Sequence, residues 1–536
     1  MKLASASMRP EVLAPLASPP MRDFPGPIRV HRRAAVRATV LGVVGASALL
    51  ATPAGSTPVR SGLVTTVSHT LPTTKSTLRW SACSNNKAVE CANLVVPRDP
   101  AKPAGSMVTV AVARMKATDS KNRIGTLLVN PGGPGASGRT FAFQLASAVA
   151  LSPLRERFDI VGWDPRGVGA TTPVTCFGTG AEYDRLYADD PTPDDAAELE
   201  KLKADTKAFA TSCATREGDL LRYTSTDVVV ADMERLRIAL GEDTISYLGF
   251  SYGTYLGAKY ADRYPTRVRA FVLDGALDPT ADADSRVRMQ AAGFELALSG
   301  FLDSCRSGSC GFVHDGETPS QAFDRVMAAI DAKPIKVGDR TVGPGEASTA
   351  ALAGLYSNTT GWTILRGALT RADKGDGKGL LALFDQYADR QKDGSYLNTA
   401  DANAATNCTD VPASRDPAHY DALAKELASS SPRFGAFAAY STLVCAYWPA
   451  PVTGSLAPVR ATGSAPILVI GTVDDPATPY VWAQSLAKQL TNGVLLTYEG
   501  EGHTAFLNGN RCIRKAGEAY LLDRVVPKVG TRCPVE

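Results

Sequence analysis

Histidine is scarce in this chain, with five among 536 residues. Chemistry that needs an imidazole, as a base or as a metal ligand, therefore has few candidates. A run long enough for a bilayer is missing from the N-terminal region, where the apolar stretch Ala38–Ala51 falls short of the ~20 residues a spanning helix needs. No internal repeat is visible, and low complexity is confined to the N-terminus. Strong charge of one sign is absent as well. The formal net charge is +3, and Lys2, Arg9, Arg22, Arg29, Arg32, Arg33 and Arg37 against Glu11 and Asp23 more than account for it. The rest of the chain is slightly acidic, so no nucleic-acid partner is expected. With 44% apolar and 21% charged residues, the composition is that of a soluble globular protein. At this length two domains, or one core carrying a large insertion, are expected.

The first 54 residues are built like an export signal. Arg29–Arg37 is basic, Ala38–Ala51 is apolar, and Ala51-Thr52-Pro53-Ala54 offers a small-residue cleavage site. Residues 1–28 are long for a leader, so Met8 and Met21 are alternative starts. Arg32-Arg33 would suit a twin-arginine signal, but the remainder of that pattern is missing, and a Sec-type signal is the better reading. The protein is accordingly expected to be secreted, with no stable membrane anchor after cleavage; a retained anchor is the alternative. No cysteine lies near the cleavage site to take a lipid. Residues 55–77 are polar and Thr/Ser-rich, the composition of a flexible mature N-terminus.

All ten cysteines follow this signal, and exported thiols pair. They fall into neighbouring groups: Cys83 and Cys91, Cys176 and Cys213, Cys305 and Cys310, Cys408 and Cys445, Cys512 and Cys533. Ten cysteines allow about 945 connectivities, so nearest-neighbour pairing is a hypothesis. Zinc is the rival at Cys305 and Cys310, but no Cys/His partner set accompanies them, and no metal is expected.

From Leu78 the pattern alternates strand and helix. Met107–Ala113, Thr126–Asn130, Phe158–Trp163, Thr244–Leu248 and Val268–Leu273 read as strands. Val228–Leu240 and Tyr252–Tyr264 have helical spacing, the second ended by Pro265. Such alternation predicts an α/β protein whose mostly parallel central sheet is flanked by helices. The rhythm breaks after Asp278-Pro279. Residues 280–460 are mainly helix-like and read as an inserted cap. It resumes with strands at Pro466–Gly471 and Val494–Tyr498 and a helix from Ile513 to about Leu522. The expected division is a first core part at 78–279, the cap at 280–460 and a final core part at 461–536.

Gly249-Phe250-Ser251-Tyr252-Gly253 lies between a strand and a helix, the setting of a sharp turn that presents a serine as a nucleophile. Chance alone would give roughly 0.3 such pentapeptides here, so the surroundings decide. A serine needs a base, an acid to orient that base, and backbone donors for the oxyanion. Of the five histidines, His31 and His69 lie in the N-terminal segment; only His503, in Gly500-Glu501-Gly502-His503, follows the last strand. The acid should follow the preceding strand, which runs into Asp474-Asp475-Pro476-Ala477-Thr478-Pro479. Asp475 is preferred because the prolines around it stiffen the turn; Asp474 and Asp274 are alternatives. The oxyanion donors are expected to be Tyr252 N–H and a backbone N–H of Asn130-Pro131-Gly132-Gly133-Pro134-Gly135, with Gly133 first and Gly132 second. The same loop fails as a phosphate loop, since no G-K-[ST] follows.

These motifs carry a resemblance. Asn130–Gly135 resembles the HGGPG loop of prolyl aminopeptidases, with Asn in place of His. Together with Val161–Gly169, Gly249–Gly253, Val272–Pro279, Asp475–Pro479, Gly502-His503, Trp80-x2-Cys83 and Cys91-Ala92, it resembles the secreted tripeptidyl aminopeptidase-like branch of the α/β-hydrolases of actinomycetes. The resemblance spans about Leu78 to Cys533 and is weakest in the cap. It implies an α/β-hydrolase fold and a serine exopeptidase acting on peptides with free N-termini, through Ser251, Asp475 and His503, with no cofactor. Selectivity for a free N-terminus calls for an anion to pair with the substrate ammonium. Asn407-Cys408-Thr409-Asp410 resembles a cap motif of this branch, which makes Asp410 a candidate; a solvated or capping aspartate is the plainer reading. Asp164 and Arg166 of the Trp-Asp-Pro-Arg-Gly stretch are expected to hold the floor of the site. An esterase or lipase on the same machinery is the alternative activity. An epoxide hydrolase or dehalogenase is disfavoured by serine at the elbow, and a catalytically dead binding protein by the complete set of catalytic residues.

Overall fold

Apolar runs bounded by Gly/Pro turns build most of the central sheet, because a strand covered on both faces has no polar side to alternate with. The computed structural model describes residues 77–536 apart from 85, 146–151, 307, 309 and 509. The expected signal peptide and all but the last residue of the expected mature N-terminus lie outside the described residues.

In chain order the strands are β1 Ser81–Ala82, β2 Glu90–Pro97, β3 Met107–Met115, β4 Gly125–Asn130, β5 Phe158–Trp163, β6 Ile245–Phe250, β7 Val268–Asp274, β8 Ile335–Val337, β9 Arg340–Val342, β10 Ile467–Asp474, β11 Gly493–Glu501 and β12 Arg532–Cys533. Ten of them form one sheet in the order β1-β2-β3-β5-β4-β6-β7-β10-β11-β12. The run from β1 to β5 is antiparallel. Everything from β5 through β4 and β6 to β12 is parallel. Every residue of β4, β5 and β6 is buried. Two apolar layers cover the sheet. One holds Trp163, Tyr247, Tyr255, Tyr260 and Phe271; the other holds Phe158, Ile160, Leu248, Ile470 and Phe506. The mostly parallel sheet flanked by helices is therefore the α/β architecture expected.

Register decides where the chemistry can sit. Asn130 lies opposite Gly249, Phe250 opposite Asp274, and Ile470 opposite Asp274. Parallel strands all deliver their C-terminal ends to one edge. The loops that follow β4, β6, β7, β10 and β11 consequently meet there.

Between β7 and β10 the chain forms a mainly helical layer, from the helix Ala283–Ser304 to the helix Val444–Tyr447. It buries an apolar cluster of its own, with Phe301, Phe312, Trp362, Leu365 and Phe384. Two features lie beyond the sequence reading. The cap contains a short antiparallel hairpin, β8 with β9. In addition, the helices Gly180–Tyr187 and Ala196–Glu217, which precede β6, join the cap in walling the cavity described below. The ten cysteines form five disulfides, Cys83–Cys91, Cys176–Cys213, Cys305–Cys310, Cys408–Cys445 and Cys512–Cys533. None of the helices among the described residues is long and apolar enough to cross a membrane.

Candidate active site

β6 stops at Phe250 and the helix Tyr252–Arg263 starts one residue later, which forces a turn at Ser251. Ser251 has φ 53° and ψ −123°, a conformation that costs an L-residue about 1–3 kcal/mol. The surroundings hold it there. Ser251 N–H donates to Asp274 O at 2.9 Å, and Ser251 O accepts from Thr254 N–H at 2.8 Å and Thr254 Oγ1 at 2.6 Å. The flanking glycines are sterically required. A Cβ on Gly249 would lie 2.6 Å from Gly253 O, and one on Gly253 would lie 2.8 Å from Asn130 Oδ1.

His503 and Asp475 come from the loops after β11 and β10. His503 Nδ1 lies 2.9 Å from Asp475 Oδ1 and 3.0 Å from Oδ2. Asp475 is fixed in turn by Ala477 N–H at 3.0 Å and Thr478 N–H at 2.8 Å on Oδ1, and by Thr504 N–H at 3.3 Å on Oδ2. Thr478 Oγ1 donates to Asp475 Oδ2 at 3.0 Å and lies 3.2 Å from His503 Nδ1. This bridging threonine was part of a quoted motif but was not singled out from sequence. Its distance of three residues from the acid was the signal that could have found it. Asp475 rather than Asp474 faces the imidazole, while Asp474 borders a small separate cavity beside Glu501. Burial pulls the imidazole's pKa down, but the charge and hydrogen bond of Asp475, with the charge of Asp274 behind it, outweigh that, and His503 ends above its ordinary value. Asp274 sits beneath the histidine loop and accepts from Ala505 N–H at 3.0 Å and Phe506 N–H at 2.8 Å. Burial pushes it up to about 6. The cap reaches the same loop: His503 N–H donates to Tyr356 O at 2.8 Å, and the two rings meet edge to face at 5.4 Å.

The loop after β4 turns back over the elbow. Gly132 has φ +102° and Gly133 φ +110°. A Cβ on Gly132 would stand 2.6 Å from Phe250 O and 2.9 Å from Ser251 Cβ, so only glycine permits the approach. Gly132 N–H is spent on Asn130 Oδ1 at 3.0 Å. Gly133 lies in the cavity wall. Tyr252 N–H belongs to the first turn of its helix, where donors have no partner within the helix.

Ser251, His503 and Gly133 open into one cavity of about 940 Å3. Its walls combine the Asn130–Gly135 loop, the helices of residues 180–217 and the cap, with Tyr187, Phe209, Tyr356, Tyr387 and Phe437 supplying aromatic surface. Asp164 and Arg166 stay below it. Asp164 accepts from Ser137 Oγ at 2.6 Å and Ala170 N–H at 2.9 Å. Arg166 grips Asp232 with two bonds of 2.7 and 2.8 Å. Asp410 is buried, and both its oxygens accept from Thr226, at 2.6 Å from N–H and 2.5 Å from Oγ1. Among the described residues no group of histidines, cysteines and carboxylates is arranged to hold a metal.

A strained serine elbow, an imidazole tied to a buried carboxylate and a glycine loop over the elbow, all on the carboxyl edge of a parallel sheet, define a serine hydrolase. Comparison with known proteins gives the family. Residues 125–312 match the family model for the α/β-hydrolase fold, and residues 431–533 match that for TAP-like proteins. The chain is similar to serine protease Hip1 of Mycobacterium tuberculosis, with 35% identity over 480 residues, 85% of this chain and 91% of that protein. It is 36% identical to carboxylesterase B of the same organism over 472 residues, 85% of this chain and 89% of that one. With the tripeptidyl aminopeptidase of Streptomyces coelicolor it shares 30% over 459 residues, 83% of each. The chain belongs to the α/β-hydrolase family, in its tripeptidyl aminopeptidase-like branch. Among solved structures, proline iminopeptidase of Mycobacterium smegmatis matches over 80% of this chain and 98% of that one, at 14% identity and a TM-score of 0.34, too distant to bear on the site.

Proposed function

We propose that this protein is a secreted serine exopeptidase that releases short peptides, tripeptides foremost, from free N-termini. The observation that carries the reading is the walled cavity, with Ser251 and His503 in its lining and the cap over it. Its volume of about 940 Å3 lies near the top of the range of about 300–1,000 Å3 usual for small-ligand sites. A short peptide fits such a space, and the wall limits how far a chain extends beyond the scissile bond.

In this reading His503 Nε2 takes the proton of Ser251 Oγ as that oxygen attacks the scissile carbonyl. Asp475 holds Nδ1–H and stabilises the imidazolium. Gly133 and Tyr252 N–H receive the oxyanion. Collapse breaks the C–N bond, and the proton on Nε2 passes to the leaving amine. Water, deprotonated by the same imidazole, then releases the peptide from Ser251. The hydrogen bond from Gly132 to Asn130 leaves Gly133 as the loop's donor.

An exopeptidase also needs a carboxylate for the substrate ammonium. Asp410 has both oxygens engaged by Thr226. Asp389 fits the task better, because it lines the cavity and accepts from Thr399 Oγ1 through Oδ2 alone. Thr399 O in turn abuts Gly135 of the Asn130–Gly135 loop, a contact that supports a position for this carboxylate on the side of the site bordered by that loop. Secretion is supported by five disulfides, which persist in oxidising compartments.

The similarity to a protein named carboxylesterase B favours one second reading, ester hydrolysis by the same residues. The test compares a tripeptidyl anilide with its N-acetylated form and with a nitrophenyl ester, in the wild type and in Ser251→Ala. Turnover of the free peptide alone, abolished in Ser251→Ala, is expected. Equal cleavage of the acetylated peptide would sink the exopeptidase reading, ester-only turnover would favour the esterase, and activity in Ser251→Ala would remove the nucleophile.

A further inference from the structure

Asp410 and Thr226 take no part in the chemistry above, yet they form a buried polar chain that ends on a residue of the oxyanion hole. Asp410 is the last residue of the cap helix Thr399–Asp410. Its Oδ1 accepts Thr226 N–H at 2.6 Å and its Oδ2 accepts Thr226 Oγ1–H at 2.5 Å. Thr226 Oγ1 lies 2.6 Å from Tyr252 Oη. The threonine's one hydroxyl proton goes to the carboxylate, so Tyr252 O–H donates to Thr226 Oγ1. The chain therefore runs in one direction, Tyr252 to Thr226 to Asp410. Asp410, Thr226 and Tyr252 are all buried, with exposures of 2%, 0% and 4%.

The rest of that helix is fixed to the other half of the oxyanion hole. Asn403 Nδ2 donates to Pro134 O at 3.0 Å. A Cβ on Gly135 would lie 2.3 Å from Thr399 O and 3.0 Å from Asn403 N, so loop and helix are in backbone contact. The helix end is further pinned by Thr224 Oγ1, which donates to Ala405 O at 2.9 Å, and by Thr453 and Gly454 N–H, each 2.9 Å from Thr409 O. The Cys408–Cys445 disulfide ties it to the following cap segment. Along the same helix, Ala400, Asn403, Ala404, Asn407 and Cys408 line the substrate cavity.

We infer that the cap helix Thr399–Asp410 sets the geometry of the oxyanion hole, with Asp410 acting through Thr226 as a positioning residue for Tyr252. Tyr252 directly follows Ser251, its ring and N–H share one Cα, and burial of the ring at 4% exposure restrains the two side-chain torsions between them. Holding the ring at its hydroxyl fixes the rotation of the first helical turn, and with it the direction of the N–H. The helix touches the Gly133 loop at one end and reaches Tyr252 through Thr226 at the other, so both donors are referred to the element that lines the substrate cavity. Cap and catalytic core are thereby joined as one unit at this edge. The inference rests on the acyl-transfer reading given above.

The test separates transition-state from ground-state binding. Thr226→Val keeps the volume and removes the hydroxyl; Tyr252→Phe removes only the other end of the bond. Each is expected to lower kcat on the tripeptidyl anilide about tenfold with KM within about twofold, since a misdirected donor weakens only the oxyanion contact. Affinity for a tripeptidyl boronic acid, whose adduct with Ser251 mimics the tetrahedral intermediate, should fall by the same factor, and affinity for the product tripeptide should hold. The double variant should lose no more than either single one, because both break the same chain. Thr226→Ser, which restores the hydroxyl, should recover kcat. Wild-type kcat in both single variants would overturn the inference, as would equal losses of boronate and product affinity. If only the nitrophenyl ester is a substrate, the same comparison on ester turnover decides the inference, independently of the exopeptidase reading.

Discussion

Replacing Gly132 by alanine tests how the proposed oxyanion loop lies against Ser251. The new Cβ would stand 2.6 Å from Phe250 O and 2.9 Å from Ser251 Cβ. The first contact is with backbone, and atoms at this separation must move apart by several tenths of an ångström. Neither neighbour yields easily: Phe250 is the last residue of a fully buried strand, and Ser251 is held by Asp274 and Thr254. The loop is therefore the part that moves, carrying Gly133 N–H away from the oxyanion. A misplacement approaching 1 Å costs on the order of 100-fold in rate, about 2.7 kcal/mol. Left-handed strain at φ +102° adds about 1–3 kcal/mol to the stability cost. Gly316→Ala separates the two effects. Gly316 has φ +83°, but its Cβ would meet nothing within 4 Å, so that variant carries strain without the clash. The assay is kcat/KM on the tripeptidyl anilide beside thermal melting. Gly132→Ala is expected to lose about 100-fold in kcat/KM and to melt lower, and Gly316→Ala to melt slightly lower at unchanged kcat/KM. Activity in Gly132→Ala within threefold of wild type would refute the loop's placement over the elbow.

Two further predictions follow from the buried charges. His503 has a pKa raised above its ordinary value, and only the neutral imidazole accepts the serine proton, so kcat/KM should rise with pH through that raised value and be lost on its acid side. The sign for stability is opposite: the raised pKa contributes stability fully present below the unfolded value and lost as pH rises through the folded one. A pH profile of kcat/KM with its acid limb below the ordinary histidine value would contradict the Asp475 contact. Separately, Arg166→Met leaves Asp232 buried with Arg235, 3.5 Å away, as its one remaining cationic partner among the described residues. A loss near the lower end of about 3–5 kcal/mol is expected in urea unfolding, with Arg166→Met/Asp232→Leu recovering part of it. A loss below about 1 kcal/mol would show that the pair does not hold the floor of the site.

Much of the sheet was readable because its strands are local events. Phe158–Trp163 is an apolar run closed by polar turn residues, and Tyr252 to Pro265 carries its own start and stop. The short strands β1 and β12 were not readable. Strands of two or three residues carry no periodicity, and each is defined only by its register with a partner strand. The hairpin β8–β9 was missed for the same reason. The candidate site was legible wherever backbone geometry restricts residue type, as at Gly132, Gly133, Gly249 and Gly253. Thr478 was less so, because its role depends on where a third residue, His503, arrives.

By itself the sequence determined the class of chemistry. A serine between two glycines after an apolar strand, a glycine loop upstream, and an aspartate and a histidine in order downstream come from short-range rules of turns and strands. Which groups meet was decided only by the tertiary structure. Register in a parallel sheet brings residues 130, 251, 274, 475 and 503 to one edge. Packing turns Asp410 toward Thr226 and adds residues 180–217 to the cavity wall. Those outcomes depend on contacts between segments up to hundreds of residues apart, and side-chain direction at such contacts is set by the neighbours that burial supplies.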